Sequence, residues 1–260
     1  LDRFGIPHPE TKVFSKQGDR ELSDFSCSIP YPAVLKPADS SAYWRSPFSG
    51  MKKVWFPKTA EEAKAISDRI YAAGYTGRLV LQRLLRPTRR STLTVFCDAD
   101  AVARRAVLGD ILLEERGGTA QGNYSAILTR PLDRTSMALI RLLERVGYCG
   151  IANFDILSEG EKSYVLELNP RQGRSSDYTR AAGVNLFSCL VSVLTGKKVS
   201  TDFSYREVFW HCVPTDAVRR YATDPSLLGR AEELIAEGAE FSPFSYRPDL
   251  SHNPIRRLYT

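Results

Sequence analysis

Four polar residues recur at alternate positions in two neighbouring apolar segments, Asn153 and Asp155 in the first, Glu167 and Asn169 in the second. Residues two apart on a β-strand share a face, and a hairpin turn centred near Glu161 would place Asp155 opposite Glu167 and Asn153 opposite Asn169. Carboxylates facing each other across about 4.5–5.5 Å repel. A hard cation with oxygen ligands removes that repulsion, and Asn169 offers a third oxygen. Because Mg²⁺ keeps waters and recruits phosphates, the pattern predicts a Mg²⁺–nucleotide site.

The same alternation also fits an ordinary solvated face of a hairpin. The residues that follow favour the metal site, since Pro170-Arg171 and Arg174-Ser175-Ser176 add two guanidinium groups and two hydroxyls directly after the carboxylates. Such groups bind phosphate or the oxyanion of an acyl phosphate.

The elements that position these residues alternate between strand and helix. In the first part, the pattern predicts strands over 33–36, 53–56 and 79–82. Thr59 and Glu62 form a capping-box sequence that opens a helix, and Gly74 ends that helix. This strand–strand–helix–strand unit predicts one small lobe.

A second lobe is predicted after Pro87. Its strands are expected at the following positions: 92–97, 106–113, 151–157 and 164–168. Its helices are expected over 137–146, over 184–194 and from Asp224-Pro225 to Gly238. An irregular tail is expected after Phe241.

The composition is that of a globular protein. The chain has 260 residues, 43% of them hydrophobic and 25% charged, which predicts one large domain or two lobes. No apolar run approaches the roughly 18 residues of a membrane-spanning helix, and the first residues do not resemble a signal peptide. We therefore expect no membrane partner.

The formal net charge is +6, and one basic cluster stands out, formed by Arg83, Arg86, Arg89 and Arg90. It fits a solvated basic loop or a contact with a phosphate-bearing ligand. Nucleic acid is not expected, because no aromatic-rich basic stripe accompanies the cluster.

The five cysteines are widely spaced and form no metal-binding motif with the three histidines, which argues against a zinc site or a disulfide scaffold. Cys149 and Cys189 lie in apolar runs and are expected in the core. This usage predicts a reducing, cytoplasmic location.

Three separated motifs resemble the ATP-grasp superfamily. They are 4–11, the strand Tyr31-Pro32-Ala33-Val34-Leu35-Lys36-Pro37, and the pair Asn153-Phe154-Asp155 with Glu167-Leu168-Asn169-Pro170-Arg171. Further segments, including Leu112-Leu113-Glu114-Glu115 and 169–175, are similar to D-aspartate ligase-like carboxylate–amine ligases. The arginines and serines after the hairpin are also similar to the carbamoyl-phosphate synthase branch.

The resemblance implies an α+β fold in which two lobes grip ATP, followed by a C-terminal extension. The implied boundaries are 1–85 for the N-terminal lobe, 86–200 for the C-terminal lobe with the metal-binding hairpin, and 201–260 for the extension. The implied reaction joins a small amino-acid-like carboxylate to an amine acceptor, with ATP and Mg²⁺, by way of an acyl phosphate.

The resemblance also implies roles for single residues. Lys36 would contact phosphate, and Asp155, Glu167 and Asn169 would hold Mg²⁺. Arg171 and Arg174 would be the catalytic cations, and Arg171 would also contact the nucleotide. Gln82 and Leu84 fall where the family binds adenine, the latter through its backbone. Lys36 and Gln82 also fit purely structural roles.

Two departures from the family pattern leave alternatives open. Residues 83–97 contain no acidic side chain of the kind that often binds the ribose. The family also has a further domain upstream, so we expect this chain to be a fragment. The alternatives to a ligase are therefore a carbamoyl-phosphate synthase-like ATP-grasp enzyme and a nucleotide-binding module without turnover.

Overall fold

The computed structural model describes residues 1–15, 28–115 and 122–245. It divides into two compact units, the smaller formed by His8–Arg86 and the larger by Leu1–Pro7 together with Pro87–Thr260. This division differs from the sequence-based one, because Leu1–Pro7 belongs to the larger unit and the expected C-terminal extension is not a unit of its own.

The smaller unit is a three-stranded antiparallel sheet in the order β1-β3-β2, with two helices. Its elements are β1 (Thr11–Phe14), β2 (Ala33–Pro37), α1 (Ser40–Trp44), α2 (Ala60–Ala72) and β3 (Leu79–Arg83). Alternate residues of β2 are buried, and they pack with the apolar face of α2 in one core.

The ends of α2 show how local sequence sets the helix. The Thr59 hydroxyl accepts a hydrogen bond from the Glu62 amide, as predicted. The Glu62 carboxylate accepts from the Lys58 amide. Gly74 follows the C-cap with φ +98°, a conformation that favours glycine.

The predicted strand over 53–56 is wrong. Only Trp55 pairs, in a single bridge to Leu35. The pairing stops there because the next bond in the series, from the Ala33 amide, goes to Pro57, a residue that has no amide donor to return.

The larger unit is built on a seven-stranded sheet in the order β10-β9-β6-β5-β4-β7-β8. Its strands are β4 (Arg89–Cys97), β5 (Ala103–Glu114), β6 (Tyr124–Arg130), β7 (Gly150–Glu159), β8 (Lys162–Asn169), β9 (Phe209–His211) and β10 (Glu240–Phe241). Neighbours are antiparallel except β9 and β10.

Helices cover both faces of this sheet. They are α3 (Arg134–Arg145), α4 (Asp177–Ala181), α5 (Leu186–Leu194), α6 (Thr215–Tyr221) and α7 (Pro225–Ala236). Leu139 and Leu143 of α3 pack on one face with Leu93 and Val95 of β4. Tyr178 of α4 packs on the opposite face. The strand carrying the candidate site is therefore fixed by a core on each side.

The sequence pattern missed the short elements β1, β9, β10, α1, α4 and α6, and also β6. Most of these are too short to show a hydrophobic period. The helices α3, α5 and α7 form near their predicted positions, and α7 begins at Pro225 with Asp224 as its N-cap, as expected.

The core assignment is wrong for Cys149 and holds in part for Cys189. Cys149 is exposed, because it lies in the turn between Gly147 and Gly150 that joins α3 to β7. Cys189 is half-buried on α5 and packs against the core that contains Tyr178 and Leu186, while the outer face of this helix carries exposed apolar side chains. The described cysteines are all free thiols. Among the described helices, none is long and apolar enough to cross a membrane.

Candidate functional site

The hairpin of β7 and β8 has the predicted register. Asp155 lies opposite Glu167, and Asn153 opposite Asn169. A bulge directly after Asp155 shifts the pairing, so Ile156 pairs with Val165. The sequence prediction of two facing carboxylates is therefore confirmed, and we call Asp155 and Glu167 the carboxylate pair.

The two carboxylates have different surroundings. Asp155 is half-buried, and burial raises its pKa to about 6, with the nearby Glu167 charge adding to that rise. Hydrogen bonds from Tyr124 and Asn153 and the Arg171 charge oppose it. Glu167 is exposed, and Asn169 is half-buried. Burial thus disfavours the ionised form of Asp155, whereas Glu167 faces solvent.

Buried hydroxyls hold Asn153 beneath the carboxylate pair. Thr92 and Thr94 of β4 each donate to Asn153 Oδ1 at 3.0 Å. Its Nδ2 therefore faces Asp155 Oδ1, at 3.3 Å. A Cβ on Gly173 would lie 3.1 Å from Asn153 Oδ1, so glycine lets the loop after β8 pack on this amide.

Tyr178 anchors the same network from α4. Its ring is fully buried, and its hydroxyl lies 2.8 Å from the Val107 carbonyl and 3.0 Å from Thr94 Oγ1. Burial raises the pKa of the phenol, which therefore stays neutral. The threonines beneath the carboxylate pair are thus fixed by a helix that begins just after the arginines.

The two arginines follow β8 in residues 170–176, which we call the arginine loop. Arg171 is exposed, donates to the Gln172 carbonyl at 2.9 Å, and its charge acts on Asp155. Arg174 is also exposed, and its charge acts on Cys212 beyond β9. The structure therefore brings Arg171 to the carboxylate pair, whereas the charge of Arg174 acts on Cys212, which follows β9.

The oxygen atoms of Asp155, Glu167 and Asn169 are the type of ligand that a hard divalent cation prefers. Two carboxylates and one amide oxygen face each other, with no Lys, Arg or His ion pair to either carboxylate within the described ranges. The described residues contain no group of three or more His, Cys, Asp or Glu that could hold a metal alone. A cation here would need further oxygens from water or phosphate, as Mg²⁺ usually does.

The remaining predicted ligands lie in the smaller unit. Lys36 is half-buried on β2, opposite Val80. Gln82 is on the same sheet face, but its side chain is buried and donates to Thr11 Oγ1 at 2.9 Å. The Gln82 side chain is therefore engaged within the unit. Leu84 follows the end of β3 and is partly exposed.

The basic cluster is not one loop. Arg83 ends β3, whereas Arg89 and Arg90 begin β4 and lie on opposite faces of the large sheet. Arg89 lies 4.0 Å from Asp110, and Arg90 lies 3.2 Å from Glu114. The expectation of a purely solvated loop is therefore wrong for these two residues, because each has a carboxylate partner.

Sequence reasoning missed the residues that support the site from other strands and from α4. They are Thr92, Thr94, Tyr124 and Tyr178. Thr92 and Thr94 carry a visible signal, two hydroxyls at alternate positions of an apolar strand. Tyr124 and Tyr178 carry none, because their contacts depend on the strand order.

No protein-family model matches the chain. Among curated proteins, it is 28% identical to D-aspartate ligase of Enterococcus faecium over 96% of this chain and 62% of that protein. It is 26% identical to the carbamoyl phosphate synthase large chain of Thermus thermophilus over 75% of this chain and 18% of that protein. The chain therefore spans less than two thirds of the relatives it matches.

The fold matches that of solved ATP-grasp enzymes. The biotin carboxylase domain of 2-oxoglutarate carboxylase from Hydrogenobacter thermophilus, solved with MgADP, ADP and bicarbonate, superimposes with a TM-score of 0.59 at 14% identity. The match covers 80% of this chain and 46% of that one. The chain is thus similar in sequence to D-aspartate ligase and carbamoyl phosphate synthase, and its fold is that of ATP-grasp enzymes.

Proposed function

We propose that this chain is an ATP-dependent carboxylate–amine ligase, which activates an amino-acid-like carboxylate as an acyl phosphate and joins it to an amine. The observation that carries the proposal is the hairpin register, which faces Asp155 with Glu167 and Asn153 with Asn169 and ends in the arginine loop. The similarity to D-aspartate ligase along almost the whole chain supports the same reaction class and makes aspartate the first substrate to test.

In this proposal, Asp155, Glu167 and Asn169 hold Mg²⁺. Bound Mg²⁺ would neutralise phosphate charge and align the nucleotide. Asn153 donates to Asp155 Oδ1 and Tyr124 hydrogen-bonds the same carboxylate, so two neutral donors orient this ligand. Thr92 and Thr94 fix the orientation of that amide. The chain's own contribution is thus a prearranged set of oxygen ligands.

The cationic residues act on the phosphates. Lys36 would bind the nucleotide phosphates as a point charge. Arg171 would stabilise the charge that spreads over the transferring phosphoryl group, and Arg174 would bind the acyl phosphate oxyanion. Leu84 would offer backbone groups to adenine, while Gln82 supports that strand through Thr11.

The reaction has two transfers. A carboxylate oxygen attacks the γ-phosphorus of ATP, and ADP leaves. The amine nitrogen then attacks the acyl carbon, inorganic phosphate leaves, and the amine loses a proton to solvent. Both steps develop negative charge on phosphoryl or acyl oxygens, which exposed guanidinium groups can stabilise without a covalent enzyme intermediate. We place this reaction in the cytoplasm, with no nucleic-acid partner.

A second candidate is a carbamoyl-phosphate synthase-like reaction. It is favoured by the similarity to that enzyme's large chain over three quarters of this chain. Its first substrate would be bicarbonate, which carries no amino group. The two reactions therefore differ in which small acid makes ATP cleavage proceed.

Hydroxylamine trapping tests the proposal, because hydroxylamine converts acyl phosphates into stable hydroxamates. The chain is incubated with ATP, Mg²⁺ and single amino acids of both configurations. We expect Mg²⁺-dependent ADP release and a hydroxamate with one class of amino acid, and neither product with bicarbonate alone.

Two results contradict the ligase. ADP release with bicarbonate and no amino acid supports the synthase-like reaction instead. Binding of MgADP without ATP cleavage under any of these conditions supports a nucleotide-binding module.

A further inference from the structure

The ion pair between Arg90 and Glu114 lies on the same face of the large sheet as the carboxylate pair. Arg90 and Thr92 are two residues apart on β4 and share that face, about 7 Å apart along the strand. Thr92 is directly opposite Asp155 in the β4–β7 pairing. Arg90 thus starts from a backbone position two residues along β4 from the one that faces Asp155.

Tyr124 connects the two groups. Its phenol donates a hydrogen bond to Asp155, and the charges of Glu114 and Arg90 also act on it. Glu114 pairs directly with Tyr124 across β5 and β6. The polar side chains from β4, β5, β6 and β7 therefore meet on one sheet face.

The Arg90 guanidinium has unused donors. Only its Nη1 contacts Glu114, at 3.2 and 3.3 Å from the two carboxylate oxygens. Within the described part of the chain it makes no other ion pair or hydrogen bond. Nε and Nη2 therefore leave one edge of the guanidinium fork for a carboxylate, which is the geometry that arginine binds best.

The neighbouring Arg89 differs from Arg90 in the environment of its carboxylate partner. Arg89 and Arg90 have similar exposure, 43% and 45% of their side-chain area. The partner of Arg89 is Asp110, which is only 7% exposed and is also bound by Arg130 and Ser91. The partner of Arg90 is Glu114, which is 27% exposed. Only the second pair presents both charges toward solvent.

We propose that Arg90 and Glu114 form a subsite for the head group of an amino-acid substrate, with Arg90 binding its α-carboxylate and Glu114 its α-ammonium. The inference rests on the proposed ligase function. Since both charged head-group atoms are held there, the reacting group must lie on the side chain and extend toward the carboxylate pair. An amino dicarboxylate fits this arrangement.

Binding of three related acids tests each contact separately. Aspartate, in each configuration, has both head-group charges; succinate lacks the ammonium group and β-alanine lacks the α-carboxylate. Affinities are measured by calorimetry with Mg²⁺ and a non-hydrolysable ATP analogue present. We expect wild-type protein to bind one form of aspartate about 10–100-fold more tightly than either analogue, the usual effect of one charge-assisted contact.

Two variants should remove these preferences one at a time. Arg90→Gln should abolish the preference for aspartate over β-alanine, and Glu114→Gln the preference for aspartate over succinate. Arg89→Gln is the matched control and should retain both preferences. All three variants should bind the Mg²⁺–nucleotide analogue like wild type.

Preferences that persist in Arg90→Gln and Glu114→Gln would overturn the subsite while leaving the ligase proposal intact. Absence of any aspartate binding by wild-type protein that binds the nucleotide would also overturn it. Failure to bind the Mg²⁺–nucleotide analogue would instead contradict the proposed function, on which the subsite depends.

Discussion

Two aspartates of the same sheet show how a structural carboxylate differs from one that needs a ligand. Asp110 on β5 is buried and accepts hydrogen bonds from Arg130 Nε at 2.7 Å and Ser91 Oγ at 2.6 Å. Among the described residues, Asp155 on β7 receives hydrogen bonds from the neutral groups of Asn153 and Tyr124, has the Arg171 charge nearby without an ion pair, and faces the anionic Glu167.

Burial alone therefore does not mark a functional carboxylate. Arg130, whose pKa the carboxylates of Asp110 and Asp133 raise despite burial, neutralises Asp110 within the fold. For Asp155, burial and Glu167 raise the pKa to about 6, and the described protein groups do not cancel that rise. We therefore interpret Asp155 as a carboxylate whose charge is neutralised by a bound cation.

The largest expected contrast is in stability. Asp110→Asn leaves the partly buried Arg130 with Asp133 as its remaining carboxylate partner and should lower the free energy of unfolding by about 3 kcal/mol. Asp155→Asn removes a repulsion and should change it by less than about 1 kcal/mol, or raise it, in metal-free buffer. Urea unfolding of both variants measures this, and equal losses would contradict the distinction.

A second contrast is in turnover. Arg171→Ala should lower kcat by about 10²–10³-fold, since its guanidinium meets charge that develops during phosphoryl transfer. Nucleotide affinity should change much less. Arg141→Ala, on the exposed side of α3, is the control and should turn over normally. Normal kcat with a collapse of nucleotide affinity in Arg171→Ala would show that the assigned role is wrong.

The third contrast is in the response to ligand. Saturation of wild-type protein with Mg²⁺ and a nucleotide at about a hundredfold excess over Kd should stabilise it by about 2.7 kcal/mol. Asp155→Asn should lose most of this gain, whereas a variant of the turn, Glu161→Gln, should keep it. Thermal unfolding measures both. If Mg²⁺ and nucleotide stabilised Asp155→Asn as much as wild type, the assignment of the carboxylate pair as metal ligands would be wrong.

The smallest contrast is in pH dependence. The folded-state pKa of Asp155, about 6, lies above the roughly 3.9 of an unfolded aspartate. The folded protein therefore holds the extra proton between these values, and metal-free protein should gain about 1–3 kcal/mol as pH falls from about 6.5 to 4. The free energy of unfolding is measured against pH for wild type and for Asp155→Asn, and the difference between the two curves gives the contribution of Asp155. A difference curve without slope in that window would contradict the burial and repulsion assigned to Asp155.

The sequence predicted those parts of the site that depend on local order. Period-two alternation and a short turn place Asp155 opposite Glu167, because hairpin register follows from positions close in the chain. The end of α2 at Gly74 and the start of α7 at Asp224 follow in the same way from residues beside each helix end.

The parts that the sequence did not predict depend on distant pairing. Tyr124 reaches Asp155 only because β6, β5, β4 and β7 are adjacent in that order. Arg89 and Arg90 cannot be distinguished in the sequence. They have different carboxylate partners because successive residues of β4 face opposite sides of the sheet. The burial of Gln82 against Thr11 likewise requires the β1–β3 pairing. The four residues of β1 are too few to predict that pairing from sequence.

Metal binding by the β7–β8 hairpin can be measured directly by electron paramagnetic resonance, with Mn²⁺ standing in for Mg²⁺ and ADP present. Wild-type protein and Glu161→Gln should bind one Mn²⁺ per chain in a nucleotide-dependent manner. Asp155→Asn and Glu167→Gln should weaken that binding at least about tenfold, since each removes one anionic ligand. Unchanged Mn²⁺ affinity in both ligand variants would contradict the assignment of the hairpin as the metal site.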